Sequence, residues 1–195
     1  MGKYAKLDTN GDDSLSLKEL AKTELRYLET GARRKLGLLY KRTLNDDLHL
    51  DLYYPTPNTW RPPVIIYTHG GGWNSGSKHM VADEPHSRLF KRLLDEGFCV
   101  AAMNYRLVNP KRGTYVTDSV IDCKDAVRYL ARGSNALKIN RNRFFVFGEG
   151  AGGHLAQMLL LTELKHLPGS TFLRNEEYTM VGGVSWSGYS SFESG

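Results

Sequence analysis

Two glycine-rich strings in this chain carry residues able to aim backbone amides at a ligand. The first, His69-Gly70-Gly71-Gly72-Trp73, directly follows the apolar run Val64–Thr68. Glycines at a strand end let the chain turn so that N–H groups point into open space, and each such donor facing a developing oxyanion is worth about 3 kcal/mol. The second string, Gly148-Glu149-Gly150-Ala151-Gly152-Gly153-His154, follows Phe144–Phe147 and enters the apolar segment Ala151–Leu161. Strand, sharp turn and buried helix are the frame of a nucleophile elbow, G-x-S-x-G. The central position here is Gly150. A hydrogen atom cannot attack a carbonyl, so the frame is present without its nucleophile. The spacing of Gly148, Gly150 and Gly153 also fits G-x-G-x-x-G, the dinucleotide fingerprint, which expects an acid about 20 residues on at the end of the next strand. The next apolar run, Val181–Ser187, holds no carboxylate.

An elbow serine works with an acid and then a histidine placed after it in the chain. Beyond Gly150 there is no Asp, and the histidines are His154 and His166. Glu163 is the sole acid between the elbow and His166, and a separation of three residues places both on one helix turn. No triad assembles from these residues. The sequence stops at Ser194-Gly195, just after Val181–Ser187, so the sheet is expected to be incomplete at its C-terminal side. His154 falls on the helix after the elbow, one turn from its central position. His79 and His86 follow the first glycine string. They read as solvated loop histidines, with the lining of an acyl pocket as the alternative.

A third group of chemistry-bearing residues lies near the N-terminus. Asp8, Asn10, Asp12, Ser14, Ser16 and Glu19 hold positions 1, 3, 5, 7, 9 and 12 of a loop. The spacing resembles the calcium loop of an EF-hand, where alternate oxygens and a final bidentate Glu surround a hard cation. Leu15 supplies an apolar anchor, and Asp13 stands at the sixth position in place of the usual Gly. Leu17, Leu20, Ala21, Leu25 and Leu28 give the exit segment helical periodicity.

The elements that must position the glycine strings alternate between strand and helix patterns, the signature of an α/β domain. Leu36–Leu44 and Leu48–Tyr54 read as a hairpin turning at Asn45-Asp46-Asp47. Val64–Thr68, Phe98–Asn104, Phe144–Phe147 and Val181–Ser187 suit a buried parallel sheet. Leu89, Phe90, Leu93 and Leu94 give one helix face, and Val116, Val120, Cys123, Val127 and Leu130 another. The organisation is therefore a calcium-type loop and helix over 1–30 and an α/β unit over 36–195.

Composition narrows the partners. In 195 residues, Lys+Arg 26 against Asp+Glu 21 leaves a net charge of +5, but the basic residues are scattered, so no nucleic acid is expected. No run approaches the ~18 apolar residues of a membrane span and no signal peptide leads the chain, so a soluble protein without a membrane partner is expected. Nothing in the sequence points to a compartment or an oligomeric state. Cys99 and Cys123 lie in apolar segments and read as buried free thiols.

HGGGW, the stretch Asn104-Tyr105-Arg106-Leu107 and the elbow string, in that order, resemble the α/β-hydrolase fold. They look most like carboxylesterases of the hormone-sensitive-lipase and feruloyl-esterase type, over about four-fifths of the chain from Leu36. The resemblance implies a mostly parallel sheet flanked by helices and a small ester substrate of short acyl or carbohydrate type. It implies no cofactor for catalysis, and calcium is expected only at the N-terminal loop. It also implies an oxyanion hole from the amides of Gly71, Gly72 and Ala151, a structural role for His154, a supporting role for the acid at Glu149 with a substitute base or nucleophile there as the alternative, and a serine where this chain has Gly150. The expectation is an esterase scaffold without serine turnover. The alternatives are a non-catalytic ligand-binding protein with a calcium appendage, or a dinucleotide binder.

Overall fold

The computed structural model describes residues 26–30, 33–57 and 59–189. The calcium-type loop Asp8–Glu19 and most of its exit segment lie outside them, as does the end of the chain from residue 190. A six-stranded sheet runs β1(Arg34–Arg42), β2(Asp47–Tyr53), β4(Cys99–Met103), β3(Val64–Thr68), β5(Phe144–Glu149), β6(Met180–Trp186) across its width. β1–β2 and β2–β4 pair antiparallel, while β3–β4, β3–β5 and β5–β6 pair parallel. The sheet is mixed, with the parallel part holding both glycine strings.

Every residue of β3 (VIIYT) and β4 (CVAAM) is buried, which is what unbroken apolar runs demand when both faces are covered. Alternate residues feed two cores. Val64, Ile66 and Val146 face α2(Val116–Arg132) and α3(Ala151–Leu161), while Ile65, Tyr67 and Phe147 face α1(His86–Asp95). The Asp118 carboxylate accepts the Tyr115 N–H at 2.9 Å and so caps α2 at its start. The stripe Val120, Cys123, Val127 and Leu130 is buried as its spacing predicts, and both cysteines are free and buried.

Other expectations need correcting. The hairpin strands begin and end earlier than the apolar residues suggest, so the reversal falls at Thr43–Asp46. The strand expected at Phe98–Asn104 is shorter, and that expected at Val181–Ser187 starts one residue sooner. β5 does not stop at Phe147. Gly148 and Glu149 still pair with Ser185 and Trp186, so the sharp turn falls on Gly150 itself.

The polar side of α2 is also buried. Lys41 of β1 reaches Asp122 and Asp125, each at 2.7 Å, and Arg106 grips Asp122 through Nε at 2.7 Å and Nη2 at 2.9 Å. Arg128 donates to Asp125 at 3.1 Å and to the carbonyls of Leu164 and Pro168. Burial pushes the Lys124 ammonium down to about 8, and it donates to the Glu163 carbonyl at 2.7 Å. Charges taken out of water hold only where each is paired and hydrogen-bonded. The network thus ties β1, the segment after β4 and the 163–170 segment onto one helix.

Candidate active site

The carboxyl ends of β3, β5 and β6 open onto a cleft of about 190 Å³ lined by Gly70, Gly71, Glu149, Gly150, Trp186 and Ser187. Ligands of open α/β sheets collect at this end of the strands. At the turn, Gly150 has φ +50° and ψ −118°, a backbone that side-chain-bearing residues rarely adopt. Its N–H donates to the Trp186 carbonyl at 2.8 Å and its carbonyl accepts the His154 N–H at 3.1 Å, so the turn is held from both sides. A Cβ built on Gly150 meets no atom within 4 Å. The position has room for a side chain and lacks one.

Its glycine neighbours are small for a different reason. A Cβ on Gly148 would overlap the Gly152 carbonyl and Thr68 Oγ1, and one on Gly152 would overlap the carbonyls of Thr68 and His69. Thr68 Oγ1 donates to the Gly152 carbonyl at 2.8 Å, drawing the start of α3 against the end of β3. Gly153 packs against Gly188. Gly148 and Gly153 therefore serve backbone packing beneath the turn, and neither lines the cleft.

The first glycine string wraps the other wall. Gly71 has φ +110° and Gly72 φ +60°, and a Cβ on Gly71 would strike the Ser75 backbone. The Ser75 N–H and hydroxyl both donate to the Gly71 carbonyl, at 3.1 Å and 2.8 Å, closing the loop. No acceptor among the described residues takes the N–H of Gly71 or Gly72, and Ala151, as the first residue of α3, has no intrahelical acceptor. Of the expected oxyanion residues, Gly71 shares the cleft with Gly150, whereas Gly72 and Ala151 do not line it.

His69 anchors this loop from below. Its ring stacks on Tyr105 at 4.2 Å, Nδ1 donates to the Gly70 carbonyl at 2.8 Å, and the Tyr105 hydroxyl donates to the His69 carbonyl at 2.7 Å. Burial pushes its imidazole down to about 4 and outweighs the hydrogen bond, which acts the other way. His154 is buried with its ring edge-on to Trp73 at 5.5 Å. Burial lowers its pKa as well.

The histidines after HGGGW are not solvated. His79 is half-buried, its ring edge-on to Tyr27 and its Nδ1 at 2.9 Å from the Arg26 carbonyl. His86 is buried at the first position of α1, and its Nε2 donates to Glu149 Oε2 at 2.9 Å. Tyr67, Phe90, Phe147 and Trp186 surround the imidazole. Burial and then the Glu149 carboxylate hold the Tyr67 hydroxyl above the usual phenol range. A Cβ on Gly70 would lie 3.1 Å from Glu149 Cγ, so the missing side chain there lets the carboxylate reach the cleft. Reading the sequence weighs Glu149 and His86 singly and misses that they pair. A signal was available, since His86, Phe90 and Leu94 are four apart and extend the apolar face of α1 back by one turn.

The BD-FAE family model matches residues 50–193, which span the sheet from β2 and both glycine strings. The chain belongs to the BD-FAE family. It is 32% identical over 123 residues to an isoprenylcysteine α-carbonyl methylesterase of Arabidopsis thaliana, covering 63% of this chain and 27% of that protein. A kynurenine formamidase of Salmo salar is 28% identical over 155 residues, 76% of this chain and 48% of its own length. The butyrate-bound esterase Est2 of Thermogutta terrifontis superposes with a TM-score of 0.65 at 27% identity, over 84% of this chain and 54% of that one. The fold of this BD-FAE member is that of the α/β-hydrolase esterases, and the chain spans between a quarter and about half the length of these relatives. No described helix is long and apolar enough to cross a membrane.

Proposed function

We propose that this BD-FAE chain holds a small carboxylic ester in the cleft between Gly71 and Gly150 and lacks the serine chemistry of its family. The observation that carries the reading is Gly150: an elbow backbone, open space for a side chain, and no hydroxyl. Removal of the serine from a triad hydrolase costs on the order of a millionfold in rate. What this chain keeps is carbonyl polarisation by the unclaimed amide of Gly71, the one expected oxyanion residue that lines the cleft. The small cleft fits a short acyl group, in keeping with the butyrate bound in Est2. Calcium at Asp8, Asn10, Asp12, Ser14, Ser16 and Glu19 belongs to the same proposal as a stabilising appendage with no step in the chemistry.

The test is release of p-nitrophenolate from p-nitrophenyl acetate by the full chain, with and without pretreatment by a serine-reactive phosphonate. The reading expects no component of turnover that the phosphonate removes. A rate that the phosphonate abolishes contradicts it.

A further inference from the structure

Glu149 and His86 form a carboxylate–imidazole pair at the cleft that a serine-based reading leaves without a task. Glu149 keeps about a quarter of its side chain open to the cleft, while His86 behind it is 6% exposed. His86 Nε2 fixes one carboxylate oxygen, and Nδ1 has no partner among the described residues. The Tyr67 hydroxyl, whose ring lies 5.5 Å from the imidazole, is likewise without one among them. A buried imidazole that is packed among four aromatic rings and spends its one polar contact on a carboxylate is placed to orient it. Next to that carboxylate in sequence and on the same cleft wall is Gly150, with space for a water-sized group at its Cβ position.

We propose that Glu149, positioned by His86, is a general base that activates water in the space beside Gly150, so that the chain hydrolyses activated esters directly. The inference rests on the reading of this cleft as the ester site. Glu149 takes a proton from water as the water oxygen bonds to the acyl carbon, and the carbonyl electron pair moves onto an oxyanion facing the Gly71 amide. Collapse of the intermediate breaks the bond to the alkoxy oxygen, which receives the proton from Glu149. The products are the free acid and the alcohol, Glu149 returns to carboxylate, and no acyl-enzyme forms.

The experiment follows p-nitrophenyl acetate hydrolysis by the phosphonate-treated full chain. The expected result is turnover above buffer that falls about 100-fold or more in Glu149→Gln, the range a positioned general base supplies, with an unchanged melting temperature. In Glu149→Ala, added formate is expected to restore part of the rate, and His86→Gln, whose amide can still donate to Glu149, to keep more kcat than His86→Phe at similar KM. Turnover no higher than buffer, or a Glu149→Gln variant as fast as the parent, overturns the proposal. A loss in Glu149→Gln that formate cannot reverse in Glu149→Ala makes the carboxylate structural and overturns it too. Turnover abolished by the phosphonate overturns this inference together with the reading of Gly150, which separates the two failures.

Discussion

Alanine substitution at two glycines two residues apart, Gly150 and Gly152, should have very different costs. At Gly150 a new Cβ touches nothing within 4 Å, so the penalty is confined to the backbone. Holding a side-chain-bearing residue at φ +50° costs about 1–3 kcal/mol, partly offset by about 0.4–1 kcal/mol from a stiffer unfolded chain. The net expectation is about 1–2 kcal/mol, or roughly 2–8 °C in melting temperature for a chain of this size. At Gly152 the Cβ lands on the backbone carbonyls of Thr68 and His69, and neither can swing aside without moving the end of β3 and the first glycine string. Overpacking typically costs about 1–3 kcal/mol and occasionally more, and contact with two backbone carbonyls puts Gly152→Ala at the upper end of that range. Urea unfolding of the two variants beside the parent reads both values on one scale. A Gly152→Ala variant no less stable than Gly150→Ala would refute the argument that Gly150 is open and its neighbour is closed.

Further outcomes follow from the same physics. Lys41→Met removes the cation shared by Asp122 and Asp125 and should lower stability by about 3–5 kcal/mol; a loss below about 1 kcal/mol in urea unfolding would show that the carboxylates are served by Arg106 and Arg128 alone. His69 is held neutral to about pH 4 in the fold but protonates near 6.5 when unfolded. Its contribution is therefore complete above pH 6.5 and is lost as pH falls towards 4, by about 3 kcal/mol in all. The parent should lose that much more than His69→Gln between pH 7 and pH 4, and parallel pH–stability curves would rule this out. Millimolar calcium should raise the melting temperature of the full chain and leave that of Glu19→Ala unchanged, because a ligand that binds only the folded state stabilises it; an unmoved parent discards the metal site.

The parts of this fold that could be read from the sequence are those where one residue type dominates. β3 and β4 are unbroken apolar runs, and their burial on both faces follows from that alone. The order of the glycine strings gave the site its place at the strand ends. The less legible features depend on partners distant in the chain. Asp51 is fully buried only because Lys78, 27 residues on, pairs with it. Asp122 and Asp125 look like the solvated side of an amphipathic helix until β1 and the 163–170 segment cover them. Gly148 reads as the start of a turn, yet pairing with Ser185 keeps it in β5 and moves the turn to Gly150. His86 follows Pro85 and so resembles a loop residue, whereas α1 begins there and turns the imidazole to Glu149.

The central claim concerns the absence of an activated serine at the elbow, and intact-protein mass spectrometry after exposure to a fluorophosphonate tests it most directly. The mass of the full chain should be unchanged, because the backbone at Gly150 offers the reagent no nucleophile. A stoichiometric gain of one phosphonyl group on any serine of the native chain, lost on unfolding before exposure, would contradict it.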